Sequence, residues 1–452
     1  RQKQPSRSSS TTTTTTTTVS TTTTTKNERP VVVAHVVSLI KCKKESSVTG
    51  FLDAAAVLRH SIHKNSVHAP ASGSNYSYKM YAIVHENCKA HAHALDRLGY
   101  TSLVKPTPVS LDEIQPGYYK DHVEAENCCG SAEFIKLYAY TLLDHPLTVH
   151  WDMDVAIFQP LDDLFDSMMY PKDSTEGQNA RQKLEVQHPH RPLPDRIDAF
   201  FTRDITSAQP WEERQGVQGG FLVSRPSMAD FDDYLKFIRE GNYVGGRGND
   251  RGWYRLGYGG FQGAMAYQGV VAYFYDQLRP NTAVELDVCL WNQVVADVIW
   301  RGPSKMEHYG QCREHPVRPG DKFEDNTPEN GRCKDCRVLP VEVVKTAHYT
   351  ACKKPWECTL PHPRVPRNPK EKHRLSYLTN ITTCGLLFRK WFDLRQEFEG
   401  ELQKATGGKV KPSERRGSFE EQYFGGYCNS KGSYIPMVPP PEDFDITTIY
   451  GV

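Results

Sequence analysis

The chain has 452 residues, 38% of them apolar, and its 55 Lys and Arg against 54 Asp and Glu leave a formal net charge of +1. That balance gives no reason to expect nucleic acid or an anionic membrane surface as the principal partner, since both call for a basic excess. No apolar run approaches the ~20 residues of a membrane-spanning helix, and the length admits one large core or two domains.

Residues 1–29 are dominated by Ser and Thr. They carry too little apolar surface to offset the entropy of ordering, so a disordered, stalk-like tail is predicted. Order begins at Pro30. Residues 31–40 are apolar on both faces, the pattern of a buried parallel strand. A helix follows over 49–62, with Phe51, Leu52, Ala55, Ala56, Leu58 and Ile62 at helical spacing. Next come a strand at 78–84, a helix at 88–98 and a short strand at 101–104. A helix at 133–143, with Phe134, Leu137, Tyr138 and Leu142 inward, feeds a strand that ends at Asp152. This alternation predicts an α/β fold, a doubly wound and mostly parallel sheet with flanking helices.

Further on, a short helix is predicted at 161–168, a polar, proline-marked surface loop at 172–196, a strand at 219–224 and a helix at 228–240. Residues 241–260 are glycine-rich and hold Tyr243, Trp253, Tyr254 and Tyr258. They suit either a loop that stacks rings on sugar faces or a merely flexible one. A cysteine-bearing insertion at 303–340 overlaps the apolar segment 338–344. A long helix at 384–405 is stopped by Gly407-Gly408. The domain plan is a tail (1–29), a main domain (30–378) containing the insertion, and a C-terminal helix with an irregular tail (379–452).

Two segments carry chemistry. In Leu147-Thr-Val-His-Trp-Asp152-Met-Asp154-Val-Ala-Ile-Phe, an apolar run ends in two carboxylates one residue apart. Residues i and i+2 of an extended strand share a side, so both carboxylates are expected to project together from a carboxyl-terminal strand edge. Open α/β sheets bind ligands there. Paired carboxylates suit a hard divalent cation that also leaves room for phosphate. The other segment is Ala347-His348-Tyr-Thr-Ala-Cys-Lys353-Lys354-Pro-Trp356. His348 read alone is an ordinary loop histidine; beside the carboxylate pair it is a third ligand through one ring nitrogen. Lys353 and Lys354 could neutralise a diphosphate. If one ion is shared, the three ligand groups should converge within ~6 Å of a common point.

The chain here resembles glycosyltransferase family 8, the glycogenin-like retaining nucleotide-sugar enzymes. His348…Lys354-Pro-Trp356 is similar to the family's His-Phe-x-Gly-x-x-Lys-Pro-Trp block, with Tyr349 and Ala351 in place of Phe and Gly. Leu161-Asp-Asp-Leu-Phe165, Phe134-Ile-Lys136-Leu and Val217-Gln218-Gly-Gly-Phe-Leu-Val-Ser-Arg-Pro-Ser227 resemble further family blocks, and the likeness runs over residues 30–360. It implies a GT-A fold in which Asp152, Asp154 and His348 bind Mn²⁺ or Mg²⁺ against the diphosphate of a nucleotide-sugar donor. Asp152 and Lys354 would contact that donor, Lys136 would sit at its sugar or phosphate, and Gln218 near its sugar. One block departs: Tyr258-Gly-Gly-Phe261-Gln262-Gly stands where the family has Asp-Gly-Gly-Asp-Gln-Gly. Gln262 is kept, while two carboxylates that face the reacting sugar and acceptor are replaced by rings.

The leading expectation is retaining, Mn-dependent transfer of a hexose from a nucleotide diphosphate sugar, a UDP-sugar by family habit, to a glycan, protein or lipid. The alternatives are a catalytically silent sugar-nucleotide or glycan-binding protein of the same fold, and a phosphatase with Asp152 as nucleophile and Asp154 as acid. Among the twelve cysteines, disulfides are favoured over buried thiols and over zinc, because no second Cys-x-x-Cys completes a zinc set. Cys333 and Cys336 are expected in or beside bridges. Sequons at Asn75 and Asn380 agree with a Golgi or secretory-pathway lumen, with a membrane contact through an anchor upstream of Arg1; the cytoplasm is the alternative. Nothing in the chain specifies an oligomeric state.

Overall fold

A seven-stranded sheet carries the fold. The computed structural model describes residues 30–42, 45–126, 129–187, 193–204, 214–246, 250–294, 339–350, 354–358, 383–412, 427–428 and 434–451. Strands run in the order β10-β6-β7-β4-β1-β2-β3: β1 (Val32–Leu39), β2 (Ser77–His85), β3 (Thr101–Lys105), β4 (Thr148–Trp151), β6 (Ala199–Arg203), β7 (Val217–Ser224) and β10 (Ala283–Glu285). Only β7 is antiparallel to its neighbours in this sheet, β4 and β6; the other pairings are parallel. This is the α/β architecture that the alternating pattern predicts.

The central strand β1 shows why. Its alternate residues Val33 and Val37 enter one core layer and Ala34 and Val36 the other, so both faces must be covered by helices. On the first face lie α1 (Glu45–Lys64) and the long α8 (Thr383–Ala405), which share one core through Ala55, Leu58, Leu387, Trp391 and Phe398. On the second lie α6 (Met228–Glu240), α7 (Tyr267–Tyr273) and a 3-10 helix, Gly130–Thr141. Three residues per turn align Glu133, Lys136 and Ala139 in one row and Phe134, Leu137 and Tyr140 in another, and all six are buried. The segment expected as α-helix at 133–143 is therefore wound more tightly. The one expected at 88–98 likewise opens as 3-10 (Glu86–His91) before α2 (Ala92–Arg97).

Two further expectations are corrected. The polar stretch 172–196 is not simply loop, because α5 (Thr175–Gln187) follows α4 (Asp162–Met169). Its inward row is only Gly177, Ala180 and Leu184, too narrow a stripe to stand out in sequence. The described aromatic residues of 241–260 do not form an open stacking platform. A small antiparallel pair joins β8 (Tyr243–Val244) to β9 (Gly252–Trp253), and Tyr243, Trp253 and Tyr258 are buried in the core with Phe261.

Cys42 pairs with Cys88 and Cys358 with Cys428, while Cys289 and Cys384 are also disulfide-bonded. Cys333, Cys336, Asn380, Lys353 and the 303–338 part of the insertion lie outside the described residues. Asn75 is exposed. No described helix is long and apolar enough to cross a membrane.

Candidate metal centre

The candidate site is built where two short strands cross the carboxyl end of β4. Leaving β4 after Trp151, the chain turns through Asp152, Met153 and Asp154 and re-enters a strand as β5 (Val155–Ile157). The two carboxylates thus sit on a turn between strands, and not along one extended strand as the sequence suggested. β5 pairs antiparallel with β11 (Thr346–His348), in a register that sets His348 opposite Val155. That register carries the imidazole to the residue next to Asp154. On the other side β7 pairs with β4, Phe221 opposite Trp151, and Asp152 continues the ladder by donating its N–H to the Gly220 carbonyl at 3.1 Å.

Side-chain ligand atoms of Asp152, Asp154 and His348 all lie within 4.8 Å of one another. His348 Nε2 is 3.3 Å from Asp154 Oδ1 and 3.7 Å from Asp152 Oδ2. Asp154 and His348 are buried, whereas the Asp152 side chain is 32% exposed and opens the cluster to solvent. Lys136, projecting from its buried 3-10 row, donates from Nζ to Asp152 Oδ1 at 2.9 Å and to the Gly219 carbonyl at 3.2 Å. Lys354 donates to Asp154 Oδ2. The structure therefore brings together five of the seven residues named from sequence.

Burial lowers the His348 pKa despite the nearby Asp152 and Asp204 charges, so the ring is neutral near pH 7. Its Nε2 faces the two carboxylates, while Nδ1 is buried with no hydrogen-bond partner among the described residues. Desolvation pushes the Asp152 carboxyl up, but the Lys136 ammonium hydrogen-bonded to it outweighs burial and holds the group below the usual carboxylate range. Two carboxylates and one imidazole form an oxygen-rich donor set that fits Mn²⁺ or Mg²⁺.

Gln218 and Gln262 stand apart from the cluster's direct contacts described above. Gln218, one step along β7, accepts from the Gly220 N–H at 2.6 Å and from Asn292 Nδ2 at 3.1 Å. Gln262 is exposed, in the turn ahead of α7. Sequence reasoning missed the supporting residues. Asn292, fully buried at a φ of 57°, also donates to Thr202 Oγ1. Gln268 on α7 donates to Asp204 Oδ2 at 2.8 Å. Gly220 is required by space: a Cβ there would fall inside contact distance of His348 Cε1 and 2.9 Å from Asp152 Oδ2. The Gly219-Gly220 pair was the one visible signal among these.

No protein-family model and no curated protein matches the chain. Among solved structures it is similar to the apo form of mouse xyloside xylosyltransferase 1, with 14% identity and a TM-score of 0.39 over 70% of this chain and 97% of that one. It is also similar to the galactosyltransferase LgtC in complex with donor and acceptor sugar analogues, with 12% identity and a TM-score of 0.34 over 78% and 97% of the two chains. For the glycosyltransferase GlyE of Streptococcus pneumoniae TIGR4 the values are 10% and 0.34, over 86% and 68%. Likenesses of this size fix neither donor nor acceptor for this chain.

Proposed function

We propose that this chain is a divalent-metal-dependent glycosyltransferase of GT-A fold, which moves a hexose with retention from a nucleotide diphosphate sugar, in the first instance a UDP-sugar, to a carbohydrate-type acceptor. One observation carries this reading: two carboxylates and a neutral imidazole converge at the carboxyl edge of the sheet with a lysine on each carboxylate. Asp152, Asp154 and His348 would hold Mn²⁺ or Mg²⁺, which when bound offsets charge on the leaving diphosphate. Lys354 and Lys136 add fixed positive charge where that diphosphate would lie. Lys136 is also held near the Tyr267 ring, 5.4 Å from its centroid. Tyr258 and Phe261 support the fold from the core, which leaves acceptor recognition to other residues.

A secretory-lumen location belongs to the same proposal, supported by the bridged cysteines and the exposed Asn75 sequon. The site is tested by titrating Mn²⁺ into the protein and into Asp154→Asn and His348→Ala variants shown to be folded. The reading expects saturable binding that both variants lose. Equal binding by all three proteins would remove the site.

A further inference from the structure

Both candidate metal carboxylates are already engaged by a cation from the chain. Lys136 contacts Asp152 from the 3-10 helix, and Lys354 contacts Asp154 from the segment after β11. The two carboxylates and the two ammonium groups in direct contact carry equal and opposite charge. Three of these five side chains are buried and the other two partly so, so an excess charge there is poorly screened.

Adding a divalent cation alone leaves the cluster two charges positive, with both ammonium groups displaced from their partners. Adding a nucleoside diphosphate alone, at about two to three negative charges near pH 7, leaves it negative by that amount. Adding both brings the cluster to within about one charge of neutrality and offers each lysine a phosphate oxygen in exchange for its carboxylate. We infer that Lys136 and Lys354 are internal counter-ions that hold the metal ligands closed, so that a divalent cation and a nucleoside diphosphate bind this site cooperatively, each opening it for the other. This rests on the metal-and-donor reading above and adds a prediction that reading does not make: removing a lysine should strengthen cation binding in the absence of nucleotide. Linkage requires the coupling to be equal in both directions and, at its usual size, ~5–150-fold.

The experiment measures free Mn²⁺ by electron paramagnetic resonance, with the full chain as wild type and as Lys354→Met and Asp154→Asn. Each protein is titrated alone and with saturating UDP, GDP or UMP, corrected for Mn²⁺ bound by nucleotide in solution, and circular dichroism checks folding. Met keeps most of the length of the side chain and removes its charge. Expected for wild type is Mn²⁺ affinity at least tenfold higher with UDP or GDP than alone, with little gain from UMP. Lys354→Met should bind Mn²⁺ alone about tenfold more tightly than wild type and lose most of the nucleotide effect. Wild-type or weaker Mn²⁺ affinity in folded Lys354→Met, while Asp154→Asn loses binding, overturns the counter-ion inference and leaves the metal site standing. Failure of Mn²⁺ to distinguish wild type from Asp154→Asn under any condition overturns the site itself and the inference with it.

Discussion

Replacing Gly220 by alanine tests the geometry of the centre without touching a ligand. Gly220 lies in the extended strand β7, with no positive φ, so alanine's backbone preference is satisfied and the effect is one of space. The new methyl would meet the buried His348 ring and stand 2.9 Å from Asp152 Oδ2. Neither neighbour is the far end of a flexible chain. His348 is fixed by the β5–β11 register and Asp152 by its ladder bond to Gly220. Overpacking of this kind costs about 1–3 kcal/mol, and disturbing the support of metal ligands weakens metal affinity about 10–100-fold. Gly219 is the internal control. A methyl there would find Gln268 Cγ at 3.4 Å and Lys136 Nζ at 3.5 Å, ordinary contact distances. Gly219→Ala should be neutral, or stabilising by up to ~1 kcal/mol through the unfolded chain. Paired thermal melts and Mn²⁺ titrations of the two variants read both effects. Wild-type Mn²⁺ affinity in folded Gly220→Ala, or equal damage from Gly219→Ala, would refute the placement of His348 against β7.

Other outcomes follow from single features. Burial lowers the pKa of His35 to about 3 from an ordinary 6.5, and Trp151 Nε1 donates to its Nδ1 at 3.0 Å. The unfolded chain therefore takes up a proton that the folded chain refuses, and stability should fall as pH drops from 6.5 toward 3, by ~1.4 kcal/mol per pH unit from this group. His35→Asn, which can keep the acceptor, should show a shallower dependence in denaturant titrations between pH 4 and 6; an unchanged slope would count against the buried neutral ring. Cys428→Ser removes the tether from Cys428 to Cys358, four residues beyond Lys354. It should lower stability by ~2–5 kcal/mol and weaken UDP binding in the presence of Mn²⁺, and undiminished nucleotide affinity would separate that bridge from the site. If the chain is made in a secretory lumen, peptide mass spectrometry should find glycan on Asn75; an unmodified Asn75 from secreted material would count against that location.

The sheet was legible because its inner strands are apolar on both faces, and 31–40, 78–84 and 219–224 announce themselves in that way. The site was legible in part because Asp152, Asp154 and His348-to-Trp356 are distinctive runs, although two hundred residues separate Asp154 from Lys354. What joins them is the β5–β11 pairing between two three-residue strands, too short to carry a periodic signal. Helix α5 was hidden by its narrow inward row. The rings of 241–260 misled because composition cannot tell a Tyr that stacks on a ligand from one that fills a core, as Tyr258 does with its hydroxyl on Asp276. Asn292, Thr202 and Gln268 were invisible because each matters through a partner far along the chain.

The most direct test of the central claim is nucleoside diphosphate release from a panel of nucleotide sugars, with and without Mn²⁺, by wild type and Asp154→Asn. The account predicts at least one donor, first among UDP-sugars, that wild type hydrolyses or transfers only with the metal present, and loss of that turnover in the folded variant. No metal-dependent turnover of any donor, or turnover that survives in Asp154→Asn, would contradict it.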